Sequence, residues 1–269
     1  MNYGMLRLLA DALVSLVFPR ACALCGRLVD GLSEGVTCSA CWRGSPDVIG
    51  YGRCGRCHAP LIINPPTTGT ERCRQCEGMT LDLLRFVGPY EGALRTNVLR
   101  LKTQRHVCRR LREKIEEGVR GEPVFYRADV VVPVPLHPQR QRERGYNQAE
   151  VIARIVARAL ALPLATDLLQ RIKNTVPHRA GMDVTQRAES LSRAFVVISR
   201  GEIEDKVVLL VDDICTTGAT LNECARVLKE AGARAVYGFA VARALPSHFT
   251  ASLRDGGQTV PERPRAVCK

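Results

Sequence analysis

The stretch Val207–Cys224, VVLLVDDICTTGATLNEC, constrains the fold more than any other part of this chain. Five consecutive aliphatic residues, Val207 to Val211, followed at once by two aspartates and a small-residue turn, predict a buried strand that delivers polar groups to its carboxyl end. Open α/β sheets bind ligands at such ends. Thr216, Thr217, Gly218, Ala219 and Thr220 can set backbone N–H groups and hydroxyls around a phosphate, and a helix starting near Ala219 adds the positive end of its dipole. Asp212 and Asp213 suit a neighbouring ribose, because adjacent carboxylates accept hydrogen bonds from vicinal hydroxyls. The plainer alternative is an ordinary strand-turn-helix whose aspartates hold a metal or cap the helix.

The complete order of aliphatic strand, Asp-Asp, Thr-Thr-Gly and helix resembles the phosphoribosyl-diphosphate fingerprint of type I phosphoribosyltransferases. A chain of 269 residues has room for one domain of that size plus a smaller module. No apolar run reaches about eighteen residues, and Leu6–Phe18 is interrupted by Arg7 and Asp11, so a short amphipathic helix ending at Pro19 is expected there. We expect a cytoplasmic protein with no membrane span.

Cysteine supplies the second constraint. Eight of the twelve cysteines fall in four Cys-x-x-Cys pairs before residue 77, and Cys108, Cys215, Cys224 and Cys268 stand alone. Two thiolates at that spacing reach one ion, and two pairs complete a tetrahedral shell of sulfurs. Cys22, Cys25, Cys38 and Cys41 are expected to hold one structural zinc, and Cys54, Cys57, Cys73 and Cys76 a second, as two ribbons in series. Cross-braced pairing remains open at this stage. A filled four-sulfur shell leaves no position for water, which excludes zinc catalysis. Pro65–Gly69 reads as a loop inside the second ribbon.

The formal charge of +12 arises from 39 Lys and Arg against 27 Asp and Glu. Thiolate ligation of zinc lowers it without reversing it, so the chain stays basic and compatible with a polyphosphate ligand or nucleic acid. Arg53, Arg56, Arg72 and Arg74 in the module fit nucleic-acid contact, but few aromatics interleave them.

Further along, Phe86–Tyr90 is expected as an edge strand, Ala93–Leu101 as a helix, and Ala128–Val134 as another buried strand. Pro138–Gln148 then carries Arg140, Arg142 and Arg144 before a glycine turn, and Asn147 with Glu150 resembles a capping box for a helix stopped at Pro163. This second strand-loop-helix unit should open on the same sheet edge as the Asp-Asp loop. Arg140, Arg144 and the Asn147 side chain are thereby candidates to meet a diphosphate. After the main motif, Leu221, Cys224 and Leu228 should face the sheet, and Ala235–Ala242 should form a further strand. Cys215 lies at a helix N-terminus, a position that can depress a thiol pKa, although no base is evident beside it.

Val-Pro-Val-Pro-Leu-His at 132–137, Arg140 and Arg144-Gly145-Tyr146-Asn147-Gln148 together resemble the bacterial competence-associated ComF family. The likeness spans nearly the whole chain. It implies a type I phosphoribosyltransferase fold, adds Lys102 as a diphosphate contact, and links the protein to DNA transformation after uptake. The family pattern continues through Arg171–Phe195. Thr175, Arg187 and Ala194-Phe195 match, while His178 replaces an expected Gln and Ser190 an expected Asn. That segment has the chemistry of a lid over bound ligand.

The expectation is therefore an α/β chain: a mainly parallel sheet with flanking helices, preceded by a small module with four cysteines per zinc. Residues 1–20 form a short amphipathic segment, 21–84 the double ribbon, 85–245 the phosphoribosyltransferase-like domain and 246–269 a tail. The site would bind phosphoribosyl diphosphate with Mg²⁺. Asp212, Asp213, Arg140, Arg144 and Lys102 would serve the reaction; Thr216–Thr220 and Asn147 would join the aspartates in binding. The other reading is a non-catalytic ligand sensor that binds single-stranded DNA or a DNA-processing protein.

Overall fold

The computed structural model describes residues 18–29, 31, 34–45, 52–61, 73–76, 78–174, 191 and 193–245. The first ribbon contributes an antiparallel bridge between Ala21 and Leu28 and helix α1 (Ser39–Arg43). In the second, β1 (Gly52–Arg53) pairs antiparallel with β2 (Pro60–Leu61) around a cysteine knuckle. Then follow β3 (Leu83–Pro89), α2 (Gly92–Arg100), α3 (Arg109–Arg120), β4 (Val130–Pro133), α4 (Pro138–Arg144), α5 (Gln148–Leu160), β5 (Leu169–Arg171), β6 (Phe195–Val197), β7 (Val207–Cys215), α6 (Ala219–Glu230) and β8 (Ala235–Arg243).

Strands β3, β8, β7 and β4, in that spatial order, form one parallel sheet. The aliphatic run of β7 is buried along its whole length because both faces of the sheet are covered. Val208 and Leu210 face one core, with α6; Val207, Leu209 and Val211 face the other, with α2, α3 and α5. Each such side chain contributes about 1.5–3 kcal/mol of burial free energy. Five in succession outweigh the cost of holding two adjacent carboxylates half-buried at the strand's end. Leu221, Cys224 and Leu228 of α6 pack inward as the helical period requires.

Each sheet edge is covered. Leu84 of β3 donates its amide to the Arg56 carbonyl in the second ribbon at 2.8 Å, which closes one edge. On the other side, Val131 of β4 donates to Pro163 O at 2.9 Å and accepts from Ala165 N at 3.0 Å. The first ribbon docks against α2. Trp42 enters the core beside Ala93 and Leu94, and the buried Asn97 amide donates to Thr37 Oγ1 at 2.8 Å. Gly35 passes so close that a Cβ there would lie 2.3 Å from Asn97 Oδ1.

The segment expected as a loop with three arginines is instead the helix α4. His137 Nδ1 accepts from Gln139 N at 3.3 Å, Pro138 presets the first turn, and Gly145 at φ 76° ends it. Residues 6–17, 62–72, 175–190 and 246–269 lie outside the described residues, and with them the Pro65–Gly69 loop, Thr175, His178, Arg187, Ser190 and Cys268. Among the described residues no helix is long and apolar enough to cross a membrane.

Candidate functional site

Strand β7 carries Asp212 and Asp213 to the carboxyl edge of the sheet, where both are half-buried. Each carboxylate is oriented by the amide that follows it: Asp213 N donates to Asp212 Oδ1 at 2.9 Å, and Ile214 N to Asp213 Oδ1 at 2.8 Å. Burial and the neighbouring Asp213 charge hold the Asp212 carboxyl well above the usual carboxylate range, while the Arg171 guanidinium acts in the opposite direction. Thr216 and Thr217 are exposed, and Gly218 takes a left-handed conformation, φ 82°, to start α6 at Ala219. The N–H groups of the first turn of α6 thus border an open, small-residue loop.

Cys215 is structural, in keeping with the lack of a base beside it in the sequence. It is buried, and desolvation pushes its thiol up to about 11 despite the nearby helix terminus. Burial outweighs the dipole, so this cysteine is an anchor for the loop and no nucleophile.

The second loop opens beside the first. Pro133 is in register with Val211, and Val134 N donates to Val211 O at 2.9 Å, so Pro135–His137 leave the sheet next to Asp212. Helix α4 then presents Arg140 and Arg144, both half-buried. Arg144 Nη1 donates to Gln148 Oε1 at 2.9 Å. The Tyr146 hydroxyl donates to Leu101 O at 2.7 Å, which draws the exposed Lys102 toward the same turn.

Asn147 caps the following helix, as its sequence position predicts. It is buried; its Oδ1 accepts from Ala149 N at 3.0 Å and its Nδ2 donates to Val134 O at 2.9 Å. The carboxamide caps α5 and clamps it to the end of β4, which makes Asn147 a fixture of the site's frame.

Arg171 was missed from the sequence. It is only 9% exposed, its guanidinium lies 5.4 Å from the Phe195 ring centroid, its Nε donates to Lys173 O at 3.3 Å, and it is within electrostatic reach of Arg140, Cys224 and Asp212. Its signal was the strand alternation of β5: Leu169 inward, Gln170 outward, Arg171 inward. An arginine at an inward strand position needs a reason, and the Asp212 carboxylate supplies one.

The cysteines gather into two tetrads, Cys22/Cys25/Cys38/Cys41 and Cys54/Cys57/Cys73/Cys76, the serial pairing. Sulfur separations are 3.7 Å for Cys22–Cys41 and Cys25–Cys38, 3.5 Å for Cys54–Cys76 and 3.4 Å for Cys57–Cys73. Four sulfurs about 2.3 Å from a tetrahedral ion lie about 3.8 Å apart, so each tetrad fits a zinc ion. Burial raises the Cys54 thiol, but amides of Cys57, Cys73 and Arg56 outweigh it and bring the group down to about 6. In the first tetrad Cys22 likewise falls to about 6: the amides of Cys38, Cys25 and Leu24 overcome its burial. Cys41 and Cys73 move the other way, to about 12 and about 11, chiefly by desolvation. Cys25 is lowered as well, by the Arg27 amide, so the raised Cys41 and Cys73 are the thiols whose deprotonation a bound cation would favour.

Comparison with known proteins agrees with this division. Residues 13–77 match the family described as "Double zinc ribbon domain", and residues 147–247 match "Phosphoribosyl transferase domain". The fold and its two tetrads define a phosphoribosyltransferase-like protein with an amino-terminal double zinc ribbon. Competence protein F of Haemophilus influenzae is 29% identical over 215 residues, covering 77% of this chain and 90% of that one. Competence protein ComFC of Bacillus subtilis is 36% identical over 103 residues, 38% of this chain and 39% of that protein. DNA utilization protein YhgH of Salmonella typhi is 27% identical over 238 residues, 86% of this chain and all of that protein. The chain is thus similar, over most of its length, to proteins named for competence and for DNA utilization.

Proposed function

We propose that the carboxyl edge of β7 and β4 binds phosphoribosyl diphosphate. The observation that carries this reading is the adjacency of two loops of opposite chemistry: the paired carboxylates and small-residue turn of Asp212–Thr220, and the arginines of α4. Asp212 and Asp213 accept hydrogen bonds from the ribose hydroxyls, and the Thr216–Thr220 backbone with the α6 N-terminus holds the 5′ phosphate. Arg140 and Arg144, with Lys102, offset the diphosphate charge. Mg²⁺, when bound with this ligand, neutralises charge between diphosphate and ribose oxygens. In a transferase reaction an acceptor attacks ribose C1, the C1–O bond breaks, and diphosphate leaves with the electron pair. Asn147 serves by fixing α5 against β4.

The two tetrads hold structural zinc. Relatives named for competence and DNA use, together with exposed Arg100, Lys102, Arg105 and Arg109 on one stretch, support a role in natural transformation or DNA processing in which the basic face meets single-stranded DNA. A ligand-sensing adaptor for DNA or a DNA-processing protein is the second reading. It is supported by relatives whose names refer to competence and DNA utilization, and it differs from the first in predicting binding without turnover.

Calorimetry with phosphoribosyl diphosphate, with and without Mg²⁺, tests the ligand. The wild type should bind, and Asp212→Ala/Asp213→Ala should weaken binding by about a hundredfold, as loss of paired charge-assisted hydrogen bonds requires. Failure of both proteins to bind overturns the assignment. Diphosphate release in the presence of base or nucleic-acid acceptors then separates transferase from sensor.

A further inference from the structure

The last residue of β8, Arg243, is in register with the last residues of both neighbours, Cys215 of β7 and Pro89 of β3. The backbone joins them further: Ala244 N donates to Cys215 O at 2.9 Å, and Tyr90 N donates to Arg243 O at 2.7 Å. Its side chain turns away from solvent and is 5% exposed. Nη1 donates to the carbonyl of Cys57, a member of the second tetrad, and the guanidinium lies 5.6 Å from the Phe86 ring centroid. The sulfurs of Cys215, Cys57 and Cys73 lie within electrostatic reach of the guanidinium.

A buried guanidinium is costly unless its donors and its charge are both matched. Here the match is the knuckle of the second tetrad, whose Cys57 carbonyl accepts from Nη1 and which as a four-thiolate zinc centre carries a net charge of about −2. The backbone of Arg243 is tied to the end of β7 at Cys215, from which the Thr216–Thr220 turn departs. Among the described residues the first tetrad has no comparable link, since it docks on α2 through Thr37, Asn97 and Trp42.

We infer that Arg243 is a positioning residue that couples the second cysteine tetrad to the phosphate loop, so that the order of Thr216–Thr220, and its affinity for ligand, depends on metal in the second tetrad and not in the first. This rests on the reading of that loop given under the proposed function. With metal bound, the knuckle holds the Cys57 carbonyl in place, and Arg243 braces the end of β7 against it. Without metal the knuckle loosens and the brace has no fixed end.

The test uses the full chain as wild type, Arg243→Met, Arg243→Lys, Cys73→Ser and Cys38→Ser, with zinc per chain measured by release to a colorimetric chelator. Amide hydrogen exchange of peptides spanning Cys215–Thr220 is read without ligand, and phosphoribosyl-diphosphate affinity is read by calorimetry. Arg243→Met should keep both zinc ions, exchange faster in the loop and bind about tenfold more weakly, the order of one buried charge-assisted hydrogen bond. Arg243→Lys should recover part of both losses. Cys73→Ser, retaining one zinc, should reproduce the Arg243→Met loop, whereas Cys38→Ser should leave it protected.

Unchanged loop exchange in Arg243→Met and Cys73→Ser, or equal loosening by Cys38→Ser, overturns the inference. Should Arg243→Met unfold globally, seen as fast exchange in β4 and α5, the Arg243→Lys and Cys73→Ser proteins decide the matter. Should the wild type bind no phosphoribosyl diphosphate, the ligand assignment fails while loop exchange still decides the role of Arg243.

Discussion

The first tetrad and the second share one ligand chemistry but differ in what surrounds it. Cys25 is exposed, Cys22 and Cys38 pack in a small cluster with Val29, and Cys41 reaches the larger core beside Trp42. Cys54, Cys57 and Cys76 are buried within the core that also contains Leu84 of β3, Leu210 of β7 and Cys215. Phe18, Leu24 and Leu28, three of the six large apolar side chains left exposed among the described residues, belong to the first ribbon. The same metal-binding unit is thus part of the sheet's foundation in one copy and an outward-facing appendage in the other. Sequence spacing alone gives no hint of this difference.

The largest expected effect comes from breaking the buried tetrad. Structural zinc in isolated modules is worth on the order of 10 kcal/mol, and Cys57→Ser should forfeit much of it together with core packing. Cys25→Ser should lose its zinc and unfold only its own ribbon. Thermal unfolding followed by far-ultraviolet circular dichroism compares the two, and equal losses of midpoint would erase the distinction.

Trp42→Ala comes next. It removes a buried aromatic from the contact between the first ribbon and α2, at about 3–5 kcal/mol. Denaturant unfolding should show that loss, while phosphoribosyl-diphosphate affinity stays within about threefold of wild type. An affinity loss as large as that of Arg243→Met would mean the first ribbon supports the site after all.

Asn97→Ala should cost about 2 kcal/mol by leaving the Thr37 hydroxyl and the Val36 amide without their partner. Exchange should rise in Glu34–Arg43 peptides and remain low in β7.

The smallest effect on stability, and the most informative about the site, concerns Asp212. Its carboxyl is raised by burial and by Asp213, so the folded protein holds a proton that the unfolded chain releases at lower pH. Stability from this group is therefore present below the ordinary carboxylate pKa and is lost as pH rises through the higher folded value. Asp212→Asn should stabilise the ligand-free protein above that window and weaken ligand binding. Wild-type affinity should fall as the medium is acidified toward the raised pKa, since the ribose acceptor must be ionised. Arg171→Met should move that acid limb to higher pH, because Arg171 opposes the shift. A pH-independent affinity in the wild type would remove Asp212 from the ribose contact.

Much of the molecule is legible in the sequence where the signal is local. The β7 run, the start of α6 near Ala219, the inward Leu221, Cys224 and Leu228, and the Asn147 cap each follow from residues within one element. The four Cys-x-x-Cys pairs also follow, while their serial pairing, left open against a cross-braced one by spacing, is given by the structure. Less legible were α4, whose charged surface hides a helix set by His137, Pro138 and Gly145, the clamp that Asn147 makes on the end of β4, and the role of Arg171. The depth of Cys215 is likewise set by what the rest of the chain stacks above it.

By itself, then, the sequence determined the buried strand with its polar end, the four Cys-x-x-Cys pairs and the arginine-bearing companion unit, because these depend on period and spacing. Tertiary structure alone decided that Arg171 and Arg243 are buried, that Arg171 faces Asp212 and Arg243 the second tetrad, and that the two tetrads differ in depth. Those facts concern charges brought together across long stretches of chain, where desolvation and partner geometry set the outcome, and neither quantity is carried by neighbouring residues.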